Sequence, residues 1–376
     1  MSRQLKLGIV CYPTYGGSGI VATELGKAFA ERGYEVHFIT YDKPVRMDLF
    51  TENMFYHKVS VLDYPLFQYA PYELLLSSKL VEVAQSQSLD LLHVHYAIPH
   101  ASAAHSAQQI LKTKGLHLPF ITTLHGTDIT LLGKDKSYRP VIEFAINQSD
   151  AVTAVSNSLK EETHRFFDIT KDIQVIPNFI DPSIHNIDKD MAFRQQLAHD
   201  NERIITHISN FRPLKRVDDV IRIFDGIQRQ LAAKLLLVGQ GPEIARITHL
   251  TQSLGLEQKV HFLGKSKRIE QITSISDLFL LPSEKESFGL VALEAMASGV
   301  PVISSNVGGL PEVNKEGVTG FLRPVGDVEG MTAKAIDILK DESTLREFKQ
   351  KAHAHSRGFE LSKIIPQYEE LYHSLL

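Results

Sequence analysis

The segment Ser283–Ile303 reads SEKESFGLVALEAMASGVPVI, and it decides how the rest of the chain is interpreted. Acidic and small residues come first, and a stretch with helical character follows them. Ser287 is expected to cap this helix, Gly299 to end it and Pro301 to prevent its continuation. The β-branched residues around Pro301 predict a buried strand. The segment therefore predicts a loop, a helix and a strand in succession.

The start of this helix is a candidate anion site. Its first turn would present unpaired backbone N–H groups and the positive end of the helix dipole. Glu286 precedes the turn, and Glu294 follows eight residues later, about 12 Å along a helix at 1.5 Å per residue. An anion flanked by carboxylates that accept hydroxyl hydrogen bonds suits a nucleotide-sugar. Paired glutamates are common on surface helices, so this interpretation depends on the complete segment.

The composition is that of a globular protein with two domains. Of the 376 residues, 43% are apolar and 22% are charged, and a chain of this length usually forms domains of roughly 150–200 residues. The formal charge of −4 gives no electrostatic basis for binding nucleic acid. The one cysteine, Cys11, cannot form an internal disulfide, which fits a reducing cytosol.

Neither a secretory signal nor an apolar run of transmembrane length is visible in the sequence. We therefore expect a cytoplasmic protein without a membrane partner, and the sequence leaves open whether the chain forms a homo-oligomer.

Short apolar segments alternate with amphipathic helical segments along the chain, which is typical of parallel sheets covered on both faces. The predicted strands are Lys6–Cys11, Glu35–Thr40, Leu89–His93, Phe120–Leu124, Ala151–Ala154, Gln174–Ile176, Ile204–Ile208, Lys234–Val238, Val260–Leu263, Leu278–Leu281 and Pro301–Ser304. The expected fold class is therefore α/β, with doubly wound sheets.

The strand pattern restarts near residue 204, after an irregular stretch at Pro177–Ser183 that we interpret as a hinge. We expect an N-terminal domain over residues 1–176 and a C-terminal domain over residues 177–357. The last helix, at 358–376, could return to the first domain. Ligands of open α/β sheets bind beyond the carboxyl ends of the strands, so the two domains are expected to face each other across a cleft.

A glycine-rich loop follows the first predicted strand. Its sequence, Gly16-Gly17-Ser18-Gly19, allows close approach of a ligand and aims N–H groups at an anion. Ser18 adds a hydroxyl group. The loop matches neither G-x-G-x-x-G nor a Walker sequence, which weakens the dinucleotide and ATP interpretations. A tight turn that requires glycine is the simpler alternative.

Polar residues also end two strands in the first half. The segment Thr122–Asp128 places His125 where it could donate to a sugar hydroxyl or stabilise charge on a leaving diphosphate. A structural role for a single histidine is common, but the His-Gly-Thr-Asp context favours function. His93 and His95 are interpreted as sheet and loop residues, because a pair at this spacing without a third ligand gives weak support for zinc.

In the second half, the segment Asn210–Arg216 offers three cations in five residues, and one of them near a helix-bound phosphate would stabilise a leaving diphosphate. A solvated cluster is the alternative. The turns Val238–Glu243 and Phe262–Lys265 could receive a nucleobase with their backbones. Asn306–Glu312 is expected to shape the floor of the same site.

Together these motifs resemble the retaining glycosyltransferases of family 4, which have the GT-B fold, and the resemblance covers nearly the whole chain. Within the family, several N-terminal motifs are similar to the branch that transfers N-acetylglucosamine from UDP-N-acetylglucosamine to L-malate, the first step of bacillithiol biosynthesis. These motifs are Gly16–Gly26, Tyr64–Tyr69, His93–Ala101 and His125–Thr130.

The resemblance implies two Rossmann-like domains, an acceptor-binding one first and a UDP-sugar-binding one second. It implies a catalytic set of His125, Lys215, Arg212 and Glu286. It implies contacts to the donor from Gly17, Asn210, Gly241, Leu263, Ser287, Phe288, Gly289, Leu290 and Glu294. The expected acceptor contacts are Ser18, Gly19, Tyr96, Thr127 and, more weakly, Arg139, for which a solvated position at a helix start is the favoured alternative.

One departure concerns the phosphate cations. Many family members place an arginine five residues before the lysine that corresponds to Lys215, and this chain has Asn210 there. Arg212 is expected to take over that role.

The sequence offers no obvious catalytic base. This fits a same-face transfer in which a phosphate oxygen of the leaving UDP takes the proton. No cofactor and no metal are expected, because the helix dipole and the cations would stabilise the leaving group. Asp188-Lys189-Asp190 is interpreted as a solvated stretch.

Other functions remain open at this point. The same donor site would suit a UDP-sugar epimerase or hydrolase, a transferase acting on an inositol phosphate or a lipid glycan, or a non-catalytic nucleotide-sugar binder. The chain shows no basic amphipathic helix, which argues against a lipid acceptor.

Overall fold

The computed structural model describes residues 4–14, 16–47, 51–60, 70–131, 133, 135–185, 190–266 and 268–376. The predicted motif at Tyr64–Tyr69 and the first two residues of Asp188-Lys189-Asp190 lie outside these ranges. The chain divides into two compact units. The N-terminal unit comprises Met1–Asn178 and Ser362–Leu376, and the C-terminal unit comprises Phe179–Leu361.

The N-terminal unit is built on a parallel sheet. Its elements are β1 (Lys6–Val10), α1 (Gly17–Glu31), β2 (Glu35–Thr40), β3 (Met54–Lys58), α2 (Tyr72–Gln87), β4 (Leu91–His95), α3 (Ser102–Lys112), β5 (Phe120–Leu124), α4 (Arg139–Gln148), β6 (Ala151–Ala154), α5 (Asn157–Phe166) and β7 (Ile173–Val175). The seven described strands are ordered β3-β2-β1-β4-β5-β6-β7. Short helical segments at Ala97–Ala101 and Thr127–Leu131 follow β4 and β5.

The C-terminal unit repeats this architecture. Its elements are α6 (Met191–Leu197), β8 (Arg203–Ile208), α7 (Val217–Gln228), β9 (Ala233–Val238), α8 (Ile244–Ser253), β10 (Val260–Gly264), α9 (Ile269–Ser274), β11 (Leu278–Leu281), α10 (Leu290–Ala297), β12 (Val302–Ser305), α11 (Leu310–Val313), β13 (Gly320–Arg323), α12 (Val328–Leu339) and α13 (Glu342–Ser356). The six described strands are ordered β10-β9-β8-β11-β12-β13. Single helical turns occur at Pro213–Lys215 and Arg357–Phe359.

The last helix, α14 (Leu361–His373), packs on the N-terminal unit. Tyr368 and Tyr372 are fully buried there. The Tyr372 hydroxyl lies 2.6 Å from Nδ1 of His93 on β4, so this helix supplies a polar partner to a histidine in the centre of the sheet.

Both sheets reverse their winding direction at one strand. β1 lies between β2 and β4, and β8 lies between β9 and β11. At such a switch point the flanking loops leave in opposite directions and open a crevice at the carboxyl ends of the strands. The loops after β1, β4, β8 and β11 therefore define where ligands of each unit are expected.

Strand prediction failed where burial is weak. β3 was not predicted, because of its residues only Met54 is buried, and β13 was not predicted because it is a partly buried edge strand that begins with glycine. β4 spans 91–95 instead of the predicted 89–93. Its neighbour Asp90 caps the edge by accepting the backbone N–H of Lys6 at 2.9 Å, so the ladder begins only after that residue.

Candidate functional site

The glycine loop after β1 is tightly packed. Gly16 is extended and Gly17 begins α1. A Cβ atom on Gly19 would lie 2.5 Å from the backbone oxygen of Thr14 and 2.6 Å from that of Tyr12. Only glycine permits this approach. The loop therefore holds the start of α1, with the exposed Gly17 and the part-buried Ser18, against the end of β1.

Two predicted acceptor residues, Ser18 and Thr127, hydrogen-bond to the phenol group of a third, Tyr96. The Tyr96 hydroxyl donates to Oγ of Ser18 at 2.8 Å, and the Thr127 side chain also hydrogen-bonds to Tyr96. Tyr96 adopts a φ of 83°, a conformation that is uncommon for a residue with a side chain. Ser18, Tyr96 and Thr127 thus form a cluster of hydroxyl groups at the carboxyl edge of the sheet.

A positive φ at Tyr96 requires support, and a buried carboxylate supplies it. Oδ2 of Asp128 accepts the backbone N–H of Ala97 at 2.7 Å. Asp128 is 1% exposed, and burial raises its pKa to about 6. Its Oδ1 has no hydrogen-bond partner among the described residues. In the sequence, Asp128 belongs to the Thr122–Asp128 motif, but its residue type and position predicted no role for it.

His125 lies beside this cluster, with its ring centroid 5.3 Å from that of Tyr96. Its Nε2 is 2.8 Å from Nδ1 of His95. Burial lowers the pKa of His125 to about 3, so the ring is neutral near pH 7. His95 was interpreted from the sequence as a loop or sheet residue. The sequence carries no signal for its contact with His125, because His95 ends β4 and His125 follows β5, 30 positions later.

Arg139 is not part of this group. It begins α4, is exposed, and pairs through Nε with Oε1 of Glu143 at 2.7 Å. The position at a helix start matches the alternative interpretation of this residue.

In the C-terminal unit, the helix of the opening segment begins later than predicted. The residue before α10 is Gly289, with a φ of 95°, and Ser287 does not cap the helix. The chain from Glu286 to Gly289 is a loop, so the estimate of two helical turns between Glu286 and Glu294 was wrong. A left-handed glycine turns the chain sharply into the helix.

This loop contains backbone donors that have no partner in the described chain. Among the described residues, the backbone N–H groups of Phe288, Gly289 and Leu290 have no acceptor. The loop is supported from below, since a Cβ atom on Gly308 would lie 1.9 Å from the backbone oxygen of Glu286. Gly309 donates its N–H to the same oxygen at 3.0 Å. The glycine pair after β12 therefore fixes the loop's conformation.

Glu286 and Lys215 form an ion pair. Nζ of Lys215 bonds to Oε1 of Glu286, and the Ser283 hydroxyl donates to the same oxygen at 3.0 Å. The two charged side chains are 18% and 12% exposed, so water screens the pair only partly. The two residues reach each other from the turn after β8 and the loop after β11.

The other cations near Lys215 differ in their surroundings. Arg212 is exposed and makes no ion pair with any residue that the structure describes. Arg216 bonds to Oδ2 of Asp219 at 2.6 Å at the start of α7, just as Lys215 bonds to Glu286. Of the three predicted cations, Arg212 alone has no ion-pair partner among the described residues, and an anionic ligand at Lys215 would compete with Glu286.

Two further turns lie against the segment that contains Asn210. A Cβ atom on Gly241 would lie 2.2 Å from the backbone oxygen of Asn210, and one on Gly239 would lie 1.8 Å from that of Ser209. Gly239 donates its N–H to the carbonyl of Gly264 at 2.8 Å. Asn210, Gly241 and the part-buried Leu263 are thereby brought to one edge of the sheet.

Glu294 lies in the second turn of α10 and is 8% exposed. Phe288 is also buried, with its ring 5.9 Å from that of Phe359. Phe288 thus anchors the loop in the core.

Within the described ranges, no group of three or more His, Cys, Asp or Glu side chains is arranged to hold a metal ion. In the same ranges no helix is both long and apolar enough to span a membrane.

Two family models match the chain. The model for Glycosyltransferase Family 4 matches residues 15–184, and the model for Glycosyl transferases group 1 matches residues 188–355. Together they cover most of both units.

Several curated proteins are similar in sequence. The N-acetyl-alpha-D-glucosaminyl L-malate synthase of Bacillus anthracis is 50% identical over 375 residues, which are 99% of this chain and 98% of that protein. An uncharacterized glycosyltransferase of Methanocaldococcus jannaschii is 29% identical over 81% of this chain and 80% of its own. The D-inositol 3-phosphate glycosyltransferase of Nocardia farcinica is 32% identical, over 50% of this chain and 44% of its own.

Solved structures share the fold. HepE of Anabaena, crystallised in complex with UDP and glucose, has a TM-score of 0.83 at 23% identity and covers 99% of this chain and 100% of its own. Sucrose-phosphate synthase of Thermosynechococcus elongatus has a TM-score of 0.81 at 22% identity, covering 99% of each chain. The predicted fold class, two doubly wound Rossmann-like units of the GT-B type, is confirmed.

The buried Asp128 predicts a pH dependence of stability. Its pKa rises from 3.8 to about 6 on folding, so the folded chain binds more protons between these values. Stability contributed by the protonated carboxyl is therefore present below pH 3.8 and is lost as the pH rises through 6. The unfolding free energy of the wild type relative to Asp128→Asn should fall by up to about 3 kcal/mol between about pH 4 and pH 7.

Urea denaturation of both proteins across this range measures the difference. Asp172→Asn is the control, because Asp172 is exposed and Lys160 lowers its pKa, so no such fall is expected. A wild-type advantage over Asp128→Asn that stays constant with pH would contradict the prediction.

Proposed function

We propose that this chain, which belongs to glycosyltransferase family 4, transfers N-acetylglucosamine from UDP-N-acetylglucosamine to the hydroxyl group of L-malate. The product is N-acetyl-α-D-glucosaminyl L-malate, with the α configuration of the donor retained. The observation that carries the proposal is the 50% identity, over 99% of the chain, to the enzyme of Bacillus anthracis with this named activity.

The loop before α10 supports a diphosphate site. The N–H groups of Phe288, Gly289 and Leu290 have no described acceptor, and they stand at the positive end of the α10 dipole. Ser287 adds a hydroxyl group at the same loop. Lys215 supplies a positive charge next to it. A diphosphate bound there would replace missing backbone hydrogen bonds and gain charge-assisted ones.

Arg212 is proposed as the second phosphate cation. Asn210 stands where many family members have an arginine, and Asn210 cannot supply charge. Arg212 is exposed and makes no ion pair with a described residue, so its guanidinium group is available to an anion. No other interaction has to be broken for it to reach a phosphate.

Carboxylates and the histidine are proposed to select the donor. Glu286 would accept hydroxyl hydrogen bonds from the sugar, and Glu294 from the ribose. His125 would contact the transferred sugar. The turns with Gly241 and Leu263 would receive the uracil ring, and the exposed Gly17 would contact the donor from the glycine loop.

The hydroxyl cluster of Ser18, Tyr96 and Thr127 is proposed to bind the acceptor with the backbone of Gly19. Malate is a dianion and needs several donors. Because Tyr96 donates to Ser18, the Ser18 hydroxyl proton remains available to a ligand. Arg139 would reach the acceptor only by leaving Glu143.

The transfer needs no base from the protein. The bond between the anomeric carbon and the β-phosphate oxygen breaks, and the malate hydroxyl oxygen bonds to the same face of that carbon. The hydroxyl proton moves to an oxygen of the leaving β-phosphate. The protein's contribution is to position the reactants and to stabilise charge on UDP through Lys215, Arg212 and the α10 dipole.

A UDP-release assay tests the function. The enzyme is incubated with UDP-N-acetylglucosamine alone, and with L-malate, D-malate, other hydroxy acids or inositol phosphate. We expect release that depends on L-malate, with a product whose anomeric proton shows the α configuration. Release without an acceptor would indicate a hydrolase or epimerase. If UDP release requires inositol phosphate, then inositol phosphate and not malate is the acceptor, as the name of the Nocardia relative would suggest.

The proposed leaving-group cations predict a graded loss of activity. Lys215→Ala should lower kcat about 100-fold to 1000-fold, the scale seen when one preorganised group that stabilises developing charge is removed. Arg212→Ala should cost less, about tenfold, because that side chain is exposed and screened. Steady-state UDP release measures both.

Lys340→Ala is the matched control. It removes the same charge from the same unit at an exposed residue that pairs with Asp337, so its rate should equal that of the wild type. Wild-type turnover by Lys215→Ala would refute the role of Lys215, and a larger loss for Arg212→Ala would exchange the two roles.

The proposed charge stabilisation also predicts turnover without a divalent metal. Activity should persist after dialysis against EDTA, since the α10 dipole and two cations face the diphosphate. Loss of turnover in EDTA with recovery on adding Mg²⁺ would show that the cations do not suffice.

A further inference from the structure

His125 has one ring nitrogen bound within the protein and one left for a ligand. Its Nε2 lies 2.8 Å from Nδ1 of His95. Its Nδ1 makes no hydrogen bond with a described residue, and the ring is only part-buried. Whether Nδ1 carries a proton decides whether His125 donates to a ligand or accepts from it.

Both histidines are neutral, so they share one proton in their contact. Burial lowers the pKa of His95 well below its usual value and that of His125 to about 3. If His95 donates from Nδ1, then Nε2 of His125 accepts and the proton of His125 stays on Nδ1. If His125 donates from Nε2, its Nδ1 is a bare acceptor.

The second nitrogen of His95 distinguishes the two arrangements. His95 is fully buried, and its Nε2 has no partner within the described ranges. When His95 donates from Nδ1, its Nε2 carries no proton, and the group without a partner is a lone pair. When His95 accepts at Nδ1, its Nε2 carries the proton, and the group without a partner is a buried N–H, which is the rarer case in proteins.

Two other histidines, His100 in the N-terminal unit and His261 in the C-terminal unit, show which kind of unpartnered ring nitrogen occurs elsewhere in this chain. Nδ1 of His100 lies 2.5 Å from the backbone oxygen of His95, so it must donate, and its unpartnered Nε2 is a lone pair. His261 bonds through its ring to the backbone oxygen of Leu197 and also leaves Nε2 without a described partner. In both rings the bonded nitrogen donates to a backbone oxygen, so the nitrogen without a partner is the unprotonated one that carries a lone pair.

We propose that His95 is a positioning residue that donates from Nδ1 to His125 and thereby holds the His125 proton on Nδ1. His125 then presents a fixed N–H donor to the bound sugar or to its leaving group. The inference rests on the proposed function only for the identity of the group that receives this hydrogen bond.

The surroundings keep the His95 ring in place. His93 stacks on it with ring centroids 4.6 Å apart. Both nitrogens of His93 are bonded, to the hydroxyl groups of Tyr372 and Thr123, each at 2.6 Å. His100 bonds to the backbone oxygen of His95. Because the His95 ring is held by stacking on His93 and its backbone by the bond from His100, His95 can hold the ring of His125 in one orientation.

Nuclear magnetic resonance of the full chain tests the tautomer directly. Histidine ring nitrogens are labelled with ¹⁵N, and the His125 signals are assigned by their loss in His125→Gln. We expect a protonated Nδ1 and a bare Nε2 in the wild type between about pH 6 and pH 8. A proton on Nε2, or an even mixture of both tautomers, would overturn the proposal. This readout does not depend on turnover.

Two substitutions at His95 separate hydrogen bonding from packing. An asparagine amide nitrogen lies close to the position of histidine Nδ1, so His95→Asn keeps the donor, whereas His95→Leu removes it. For His95→Leu we expect mixed tautomers and a loss of about tenfold in kcat/KM for UDP-N-acetylglucosamine, the scale of one hydrogen bond. The KM for malate should not change. His95→Asn should stay within about threefold of the wild type.

His105→Leu is the control for loss of a part-buried histidine, and it should change neither readout, because His105 contacts Phe144 and lies away from His125. Equal losses in His95→Asn and His95→Leu would assign the effect to packing and contradict the proposal. If Nδ1 of His125 is protonated but the enzyme does not use malate, the proposed function is refuted and the proposed tautomer is still supported. If His95→Leu does not fold, the wild-type spectrum and His95→Asn still decide the question.

Discussion

The winding reversal beside β1 and β8 is the constraint on which the rest of the structure depends. In each sheet the chain fills one side of the central strand and then crosses to the other side. The loops after β1 and β4, and those after β8 and β11, therefore diverge at the carboxyl ends of the strands. Glycines allow these loops to stay close to the strands. A Cβ atom added to Gly19 or to Gly241 would lie within 2.5 Å of a backbone oxygen. A side chain at either position would therefore push the loop away from the sheet.

The N-terminal unit uses buried polar side chains to make its edge rigid. His93, His95 and His125 are stacked in sequence, with ring centroids 4.6 Å and 5.0 Å apart. Burying imidazole rings is unfavourable unless their nitrogens are bonded. The hydroxyl of Tyr372, on the last helix, provides such a bond to His93. The terminal helix thus helps to hold His125 in place, because its Tyr372 bonds to His93, which stacks on His95, which in turn stacks on His125.

Most strands and the fold class could be predicted from the sequence, because continuous apolar segments between helices have few other solutions. The edge strands β3 and β13 could not, since only one residue of each is buried and the continuous apolar signal is lost. Ser287 was assigned as the cap from its residue type, but the backbone turns at Gly289 with a positive φ. Cap propensity describes single residues, whereas the turn here is set by Gly308 and Gly309 beneath it. Contacts between residues far apart in the sequence, such as that between His95 at the end of β4 and His125 just after β5, leave no mark in a single sequence.

The ion pair between Lys215 and Glu286 has consequences for which ligands the C-terminal unit can select. Each side chain has a partner in the unliganded chain, so neither charge is left partly buried and unpaired, which would be costly. A ligand whose hydroxyl groups displace Lys215 from Oε1 of Glu286 would separate this pair without returning a charge to Lys215. A ligand that also carries a phosphate returns a stronger anion to Lys215 and leaves Glu286 free to accept hydroxyl hydrogen bonds. The pair therefore disfavours a free sugar relative to a sugar diphosphate, and discrimination arises from the cost of separating two charges and not from the number of contacts.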